Sequence, residues 1–316
     1  MEARHDTVLL QESVDGLVIV PNDVVVDATL GGAGHFRALL AKLGPEGTIL
    51  GIDADQDALA RAQEVVDQIP LDVRPTVRLV NGNFRDLEEI LDREKLTPTK
   101  VLFDLGWSGF QLANGRGFSF RADEPLLMTY GDPEASTTAG DLVNHLSEES
   151  LADLLWSLGE ERFAKSIARS IVARREDEEI RTTHQLVTAI EAGTPSWYQH
   201  RRLHPATKTF QALRIAANDE LGAIREGVGA ALKLVPAGGR VAVITFHSIE
   251  DRIVKGMLRD AAQEGKGTLP SRKPIVPSPE ECKANPRARS GKLRLFEVGA
   301  VAPKRSINLT SFPVYA

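Results

Sequence analysis

Three aspartates stand at the ends of short apolar runs, and a glycine-rich segment follows the first of them. Asp27, Asp53 and Asp104 each end such a run, and residues 28–35 contain three glycines. A carboxylate can accept hydrogen bonds from the two hydroxyls of a ribose or from an amine. Glycines let a backbone turn tightly and approach a ligand closely. This combination predicts a site for a nucleoside-like ligand with an amine beside it.

Asp53 ends the run 48–52 and is followed by a helical pattern. A carboxylate in that place can accept hydrogen bonds from both ribose hydroxyls. The alternative is that Asp53 caps the next helix, a role for which Asp55 or Asp57 is better placed. Phe84 follows the third apolar run, where it either borders an adenine or packs in the core.

Asp104 carries the sharpest chemical signal because it abruptly ends the run Val101-Leu102-Phe103. The exocyclic amine of a nucleobase is a poor nucleophile, since its lone pair is conjugated with the ring. An acceptor aimed at the N–H orients that lone pair and stabilises the developing charge. We therefore predict that Asp104 is the catalytic acceptor for an amine. The alternative is a cap for the following segment.

Positioning these carboxylates requires a parallel sheet. Apolar runs alternate with helical patterns from residue 24 to residue 105, which predicts parallel strands with helices on both faces. Ligands bind beyond the carboxyl ends of such strands. The pattern Gly-x-Gly-x-x-Gly is absent, which argues against a rival function, a nicotinamide-dependent oxidoreductase. We predict strands over 24–27, 48–53, 76–80, 100–104, 240–246 and 292–298, and helices over 35–43, 57–69 and 86–95.

The alternation stops between residues 106 and 205, where we find no convincing strand. Helical patterns there cover 147–158, 160–176 and 183–192, and a long helix is predicted over 207–234. We expect an α/β domain interrupted by a helical insertion that recognises the substrate. The predicted parts are 1–106, the insertion 107–206, and 207–316.

Basic residues suggest contact with a polyanion. On the predicted helix 160–176, Arg162, Lys165 and Arg169 share one face, which indicates phosphate contacts or an ordinary solvated face. His247 ends the fifth strand and is a candidate on the substrate side. Ser248 with Asp251 fits a helix capping box.

The chain has a net charge of −6, yet residues 266–316 are strongly basic. A basic end on an acidic body suggests nucleic-acid binding, although solvation alone would also explain it. Within the proline-rich stretch 265–291, which we expect to be extended or mobile, Arg287 and Arg289 are candidate phosphate contacts.

Length and composition exclude several classes of protein. The chain has 316 residues, and its single cysteine excludes an internal disulfide and a cysteine-rich zinc site. No apolar run reaches the roughly 18 residues of a membrane span, and the N-terminus does not resemble a signal peptide. His200 and His204 lack a nearby third ligand, so we predict no metal. A cytoplasmic location is the simplest expectation.

These residues also carry a resemblance over nearly the whole chain. The sequence resembles the RsmH family, formerly MraW, of small-subunit rRNA cytidine N4-methyltransferases. The matching strings include residues 27–35, 51–55, 104–106, 116–120, 159–164, 204–214, 245–252 and 285–290. The family pattern is altered in two loops, at Trp107, Gly109 and Ala113 and across 127–131.

The resemblance implies a class I S-adenosylmethionine-dependent methyltransferase fold with a helical insertion. It implies small-subunit rRNA or the assembled subunit as the partner, no membrane, and leaves a homodimer open. Ala33 replaces a usual glycine, which should be tolerated if its φ is negative. Two alternatives stay open: another nucleic-acid target, and a non-catalytic RNA-binding relative. The resemblance places the cofactor at Ala33, Gly34, His35, Asp53, Phe84, Asp104 and Gln111.

Overall fold

The computed structural model describes residues 7–106, 115–131 and 133–299. The runs of valine, isoleucine and leucine form strands because branched side chains suit a sheet that is buried on both faces. The strands are β1 Val24–Asp27, β2 Thr48–Asp53, β3 Thr76–Asn81, β4 Lys100–Asp104, β5 Arg240–Thr245, β6 Gly267–Thr268 and β7 Lys292–Val298.

The strands form one sheet in the order β3-β2-β1-β4-β5-β7-β6. Strands β1 to β5 are parallel, whereas β7 runs antiparallel to both β5 and β6. This arrangement confirms the predicted fold class, a mostly parallel class I methyltransferase sheet. The order reverses between β1 and β4, and ligands of open α/β sheets bind at such a switch point.

Thirteen helices are present among the described residues. They are α1 Leu10–Leu17, α2 Gly34–Leu40, α3 Gln56–Asp67, α4 Leu87–Glu94, α5 Ala139–His145, α6 Glu148–Gly159, α7 Ala164–Asp177, α8 Thr183–Ala192, α9 Ser196–Gln199, α10 Thr207–Ala217, α11 Glu220–Leu234, α12 Ser248–Gln263 and α13 Pro279–Ala284. Within the described ranges, no helix has the length and apolarity needed to cross a bilayer.

Two apolar cores cover the two faces of the sheet. Adjacent strand residues point to opposite faces, so Val26 packs with α4, α11 and α12 while Val25 packs with α1, α2 and α3. A third core lies among residues 118–213 and includes Phe210 and Leu213 of α10. Helix α10 therefore packs with the helical unit, although the predicted division at residue 206 would separate them. That division stays a prediction.

The predicted long helix over 207–234 is wrong, because the chain forms two helices there. Asp219 adopts a left-handed backbone with φ of 45°, which separates α10 from α11. Asn218 Nδ2 donates to the Met128 carbonyl at 2.7 Å, and Asn218 Oδ1 accepts from the Tyr130 N–H at 2.8 Å. These bonds to a remote segment stabilise the break.

The stretch 265–291 is more ordered than predicted. It contains β6, α13 and a 3-10 turn over Pro286–Ser290. The Leu9 N–H donates to Glu281 Oε1 at 2.8 Å, and Ala288 is fully buried against the core that contains Val8. Contacts with the N-terminal segment thus give this proline-rich stretch its structure.

Candidate active site

The three aspartates lie at the same edge of the sheet, as predicted. Asp27 is in register with Gly51 of β2 and Leu102 of β4. Asp53 and Asp104 follow a short distance along those strands. Because the strands are parallel, their carboxyl ends meet at one edge, which brings the three acids together. We call the region around these strand ends the cleft.

The loop after β1 is tied to the strands on both sides of it. The Asp104 backbone N–H donates to Thr29 Oγ1 at 2.7 Å. The Gly31 N–H donates to Asp53 Oδ2 at 2.8 Å. The loop is therefore held between the ends of β2 and β4, where its backbone can approach a ligand.

The condition set for an alanine at position 33, a negative φ, is not met. Ala33 has φ of 59° and ψ of 18°, immediately before α2 begins. A left-handed backbone at a residue with a Cβ costs about 1–2 kcal/mol. Gly34 is required for another reason, since a Cβ there would overlap the Thr7 side chain. The N-terminal segment thus packs directly on this loop.

Asp27, His35 and Asp104 form a buried charge cluster. His35 Nδ1 lies 3.3 Å from Asp104 Oδ2, and the His35 side chain is 3% exposed. Burial alone would lower the pKa of His35, but contact with Asp104, followed by Asp27, raises it above its usual value. Burial raises the pKa of Asp27 to about 7, against the opposing effect of His35. The cluster can therefore exchange protons near neutral pH.

One polar atom of each residue in this cluster lacks a hydrogen-bond partner among the described residues. These atoms are Asp27 Oδ2, His35 Nε2 and Asp104 Oδ1, and all three are buried. Buried polar atoms without partners are costly and usually mark a site for a ligand, an ion or water. The arrangement favours a polar ligand that offers hydrogen bonds to these atoms.

Asp53 does not cap the helix that follows it. Asp55 is the N-cap of α3, and its Oδ1 accepts from the Asp57 N–H at 3.0 Å. Asp53 Oδ1 accepts from the Asp55 N–H at 2.9 Å, and its Oδ2 is held by Gly31. Burial raises the pKa of Asp53, although these N–H groups lower it. Each oxygen keeps a lone pair for another donor, such as a ribose hydroxyl.

Phe84 begins a 3-10 turn over Phe84–Asp86, directly after β3. Its ring centroid lies 5.7 Å from that of Phe103 in an edge-on arrangement, and the side chain is half-buried. One side of Phe84 therefore belongs to the core, while the exposed remainder is compatible with bordering a ligand. Gln111, Trp107 and Gly109 lie outside the described residues.

His247 rather than Ser248 is the N-cap of α12. The His247 side chain accepts from the Glu250 N–H, and the Glu250 carboxylate accepts from the His247 N–H. The predicted box of Ser248 with Asp251 is wrong, because Asp251 instead binds Arg294 at 2.7 Å. His247 is thus committed to helix capping at the end of β5, beside the end of β4.

Glu220, His247 and Glu250 each offer a ligand atom, and these atoms lie within 4.8 Å of one another. Arg214 already holds Glu220 through two hydrogen bonds of 2.7 and 2.9 Å. Tyr130 Oη also donates to Glu220 at 2.9 Å. Arg214 and Tyr130 therefore hold Glu220 in place, and the Tyr130 bond fastens the 126–131 segment to α11.

The predicted basic helix face is wrong in part. Helix α7 begins at Ala164, so Arg162 precedes the helix and does not share a face with Lys165 and Arg169. Arg169 Nε lies 3.4 Å from Glu148 Oε1. Arg162 instead lies against the rings of Phe163 and Trp197, at 5.6 and 5.5 Å from their centroids.

Arg287 and Arg289 are exposed on the 3-10 turn that precedes β7. Ala288 between them is buried with Val8 and Leu9. The adjoining Thr7 lies against Gly34 of the glycine-rich loop, so the N-terminal segment links this turn to the loop after β1. Two basic side chains are therefore exposed to solvent on a turn that packs against the N-terminal segment.

Sequence reasoning named Asp27 among the three aspartates but missed that it is buried close enough to His35 for their charges to interact. The signal was available, because Asp27 ends a buried strand just as Asp104 does. It also missed Thr29, whose Oγ1 accepts a hydrogen bond from the Asp104 N–H, and Trp197, whose ring packs against the Arg162 guanidinium. These partners are far apart in the sequence, so local patterns do not predict that they are in contact.

The sequence matches the MraW methylase family over residues 2–299. Ribosomal RNA small subunit methyltransferase H of Brevibacillus brevis is 44% identical over 314 residues, covering 93% of this chain and 98% of the relative. The protein of the same name from Trichlorobacter lovleyi is 42% identical over 315 residues, covering 94% and 98%.

Among solved structures, an rRNA methylase from Streptococcus thermophilus aligns with a TM-score of 0.42 and 12% identity. The alignment covers 94% of this chain and 98% of that one.

Proposed function

The chain belongs to the MraW methylase family, and on that premise we propose that it methylates the N4 amine of a cytidine in small-subunit rRNA, with S-adenosylmethionine as the methyl donor. Its relatives named ribosomal RNA small subunit methyltransferase H support this activity. Family membership disfavours the nicotinamide-dependent oxidoreductase that the sequence left as a rival.

The proposal rests on the position and the hydrogen bonding of the Asp104 carboxylate. Asp104 lies at the end of β4 with Oδ2 beside His35, while its buried Oδ1 has no partner among the described residues. An acceptor held in this way, at the edge where ligands bind, suits an amine that must be oriented for attack.

The residues present fit S-adenosylmethionine. The partnerless Asp27 Oδ2 can accept a hydrogen bond from an ammonium group, and His35 Nε2 can donate one to a carboxylate. Asp53 would hold the ribose and Phe84 would border the adenine. The loop residues Ala33, Gly34 and His35 would enclose the amino-acid end, and the resemblance adds Gln111. When bound, the cofactor supplies an activated methyl group.

The chain's own residues would then act on the cytidine. Asp104 Oδ1 accepts a hydrogen bond from the N4 amine, which orients the lone pair and stabilises the charge that develops on nitrogen. His35 holds the other oxygen of Asp104 and thereby sets the direction of the carboxylate. Asp104 need not remove the proton before attack, because the alkylated nitrogen is strongly acidic.

The substrate would be bound through phosphate contacts. Arg287 and Arg289 are exposed on the turn before β7, and Lys165 is exposed on α7. Arg162 and His247 are further candidates for contact with the substrate, and Arg169 is paired with Glu148. A cytoplasmic location fits an rRNA substrate. Free rRNA, the assembled subunit and a homodimer are all compatible with these surfaces.

The proposal is tested by mapping methylated nucleotides in small-subunit rRNA from cells with and without the protein. We expect one N4-methylated cytidine to lose its methyl group when the protein is absent, and to regain it when purified protein and S-adenosylmethionine are added. A map with no change at any cytidine, together with intact cofactor binding, would instead support a non-catalytic RNA-binding relative.

A further inference from the structure

An aromatic surface lies on the helical unit outside the cleft. Trp197 on α9 is 53% exposed, although large apolar side chains are usually covered. The Arg162 guanidinium lies 5.5 Å from the Trp197 ring centroid, and the Phe163 ring contacts Trp197 edge-on at 5.8 Å. Tryptophan and arginine thus share one exposed surface, which we call the Trp197 platform.

The platform is built on a rigid base. Tyr198 is buried, and its Oη donates to the buried Glu161 carboxylate at 2.9 Å. The Tyr198 ring packs edge-on against Phe163 at 4.8 Å and against Trp197 at 5.8 Å. The Phe163 N–H also donates to Glu161, at 2.8 Å. Because these contacts hold the rings in place, a ligand that stacks on Trp197 need not order it first.

Charge around the platform favours a polyanion. Arg162, Lys165, Arg201 and Arg202 are exposed, and none forms an ion pair within the described ranges. Arg201 lies over the Tyr198 ring at 5.1 Å. The neighbouring acid Glu161 is buried and engaged by Tyr198. The aromatic surface therefore has two cations against its rings, Arg162 and Arg201, and two further exposed cations close in the chain, Lys165 and Arg202.

Side-chain contacts connect the segment that carries Arg162 to the start of α12, next to the strand that adjoins Asp104. Glu160 accepts from Ser248 Oγ at 2.9 Å and pairs with Arg252 at 2.6 Å. Both partners lie at the start of α12, directly after β5, and β5 adjoins β4 with Asp104 opposite Ile244. Arg162 follows Glu160 closely in the chain, so the platform is joined by this contact to the helix that begins directly after β5.

We propose that Trp197 and Arg162 bind an unpaired base of the RNA by stacking, close to the cytidine that enters the cleft. This inference rests on the proposed function, because it assigns a contact for the same substrate. Single-stranded RNA suits the surface, since unstacked bases pack on aromatic rings and guanidinium planes while phosphates meet the flanking cations. A protein partner would gain little from so many unpaired charges.

The test measures binding of single-stranded oligocytidylate and of an RNA duplex by fluorescence anisotropy. Trp197→Ala should weaken binding of the single strand by about 5- to 100-fold, the range for loss of one stacked base. Trp197→Phe, which keeps an aromatic face, should retain most of the affinity. Duplex binding should change little, because paired bases cannot stack on the ring.

Trp156→Ala is the matched control. Trp156 is 64% exposed on α6 of the same unit, and no cation lies over its ring in the described part of the chain. It should bind the single strand as the parent does. Unchanged S-adenosylmethionine affinity in each variant would show that the fold is intact.

Equal losses in the two alanine variants, or no loss in Trp197→Ala, would overturn the platform. Failure of the platform is distinguishable from failure of the proposed function, because methyl transfer to small ribosomal subunits by the parent is measured in parallel. If the parent transfers methyl groups and Trp197→Ala binds the single strand normally, only the platform is refuted. A parent without transfer refutes the function, while the single-strand comparison still decides the platform.

Discussion

His35 Nδ1 lies 3.3 Å from Asp104 Oδ2, and the second oxygen of Asp104 is buried without a partner among the described residues. The two residues come from different elements, the start of α2 and the end of β4. One oxygen of Asp104 is therefore used for positioning, and the other is available for a substrate.

Replacing Asp104 should separate binding from chemistry. Asp104→Ala should lower the single-turnover rate of methyl transfer by about 100- to 1000-fold at saturating cofactor, the effect of losing one preorganised group. Asp104→Asn should retain more activity, because its amide oxygen still accepts one hydrogen bond. The measurement is transfer of labelled methyl to small ribosomal subunits. An alanine variant as fast as the parent would contradict the acceptor role.

Because of His35, the single-turnover rate of methyl transfer should fall on the alkaline side of its pH profile, which we call the alkaline limb. The pKa of His35 is raised by Asp104, so the ion pair is present where Asp104 is ionised and His35 is protonated, and it is lost as pH rises through that raised pKa. His35→Asn should lower the single-turnover rate by roughly 10-fold or more and remove that limb. Asp104→Asn, which cannot form the ion pair, should lack the limb as well. A limb that persists in both variants would assign it to another group.

Asp27 should make stability depend on pH. Burial raises the pKa of Asp27 from 3.8 to about 7, so the folded protein binds more protons than the unfolded chain between these values. The free energy of unfolding therefore falls as pH rises through this window. Asp27→Asn should raise it by on the order of 2–4 kcal/mol at pH about 8 and hardly at all at pH about 4. Urea unfolding at both pH values measures this, and an equal gain at both would contradict it.

Asp53 should contribute to cofactor affinity independently of helix capping. Asp53→Ala should weaken S-adenosylmethionine binding by about 1.5–3 kcal/mol, the range for hydrogen bonds to a charged group. Asp55→Ala removes the cap of α3 instead, and should cost about 1 kcal/mol of stability with little change in affinity. Titration calorimetry compares the two variants, and unchanged affinity in Asp53→Ala would exclude the ribose role.

Arg287 and Arg289 should contribute to the salt dependence of RNA binding. Replacing both with alanine should lower RNA affinity and reduce the slope of log affinity against log salt by roughly one per arginine. Arg259→Ala is the control, because Arg259 is exposed but held by Asp260 at 3.0 Å. Cofactor affinity should not change in either protein. An unaltered slope in the double variant would mean that these charges are only solvated.

Local patterns were sufficient for much of the fold and for the core of the site. Short apolar runs ending in Asp27, Asp53 and Asp104 predict parallel strands with acids at one edge, since strand character and direction follow from neighbouring residues. The choice of Asp55 over Asp53 as the cap of α3 also follows from position along the chain. The observed ends of α2, α3 and α4, which pack on the sheet, agree with the predicted ends within a few residues.

Contacts between distant parts of the chain decided the rest. Asn218 ends α10 because it binds Met128 and Tyr130, which lie far from it in sequence, so no local pattern separates α10 from α11. Arg162 leaves the predicted helix to pack on Trp197. Periodicity records which face of an element is apolar, but it does not record which remote side chain fills the space opposite. The pairing of His35 with Asp104 therefore emerges only when the packed sheet brings α2 and β4 together.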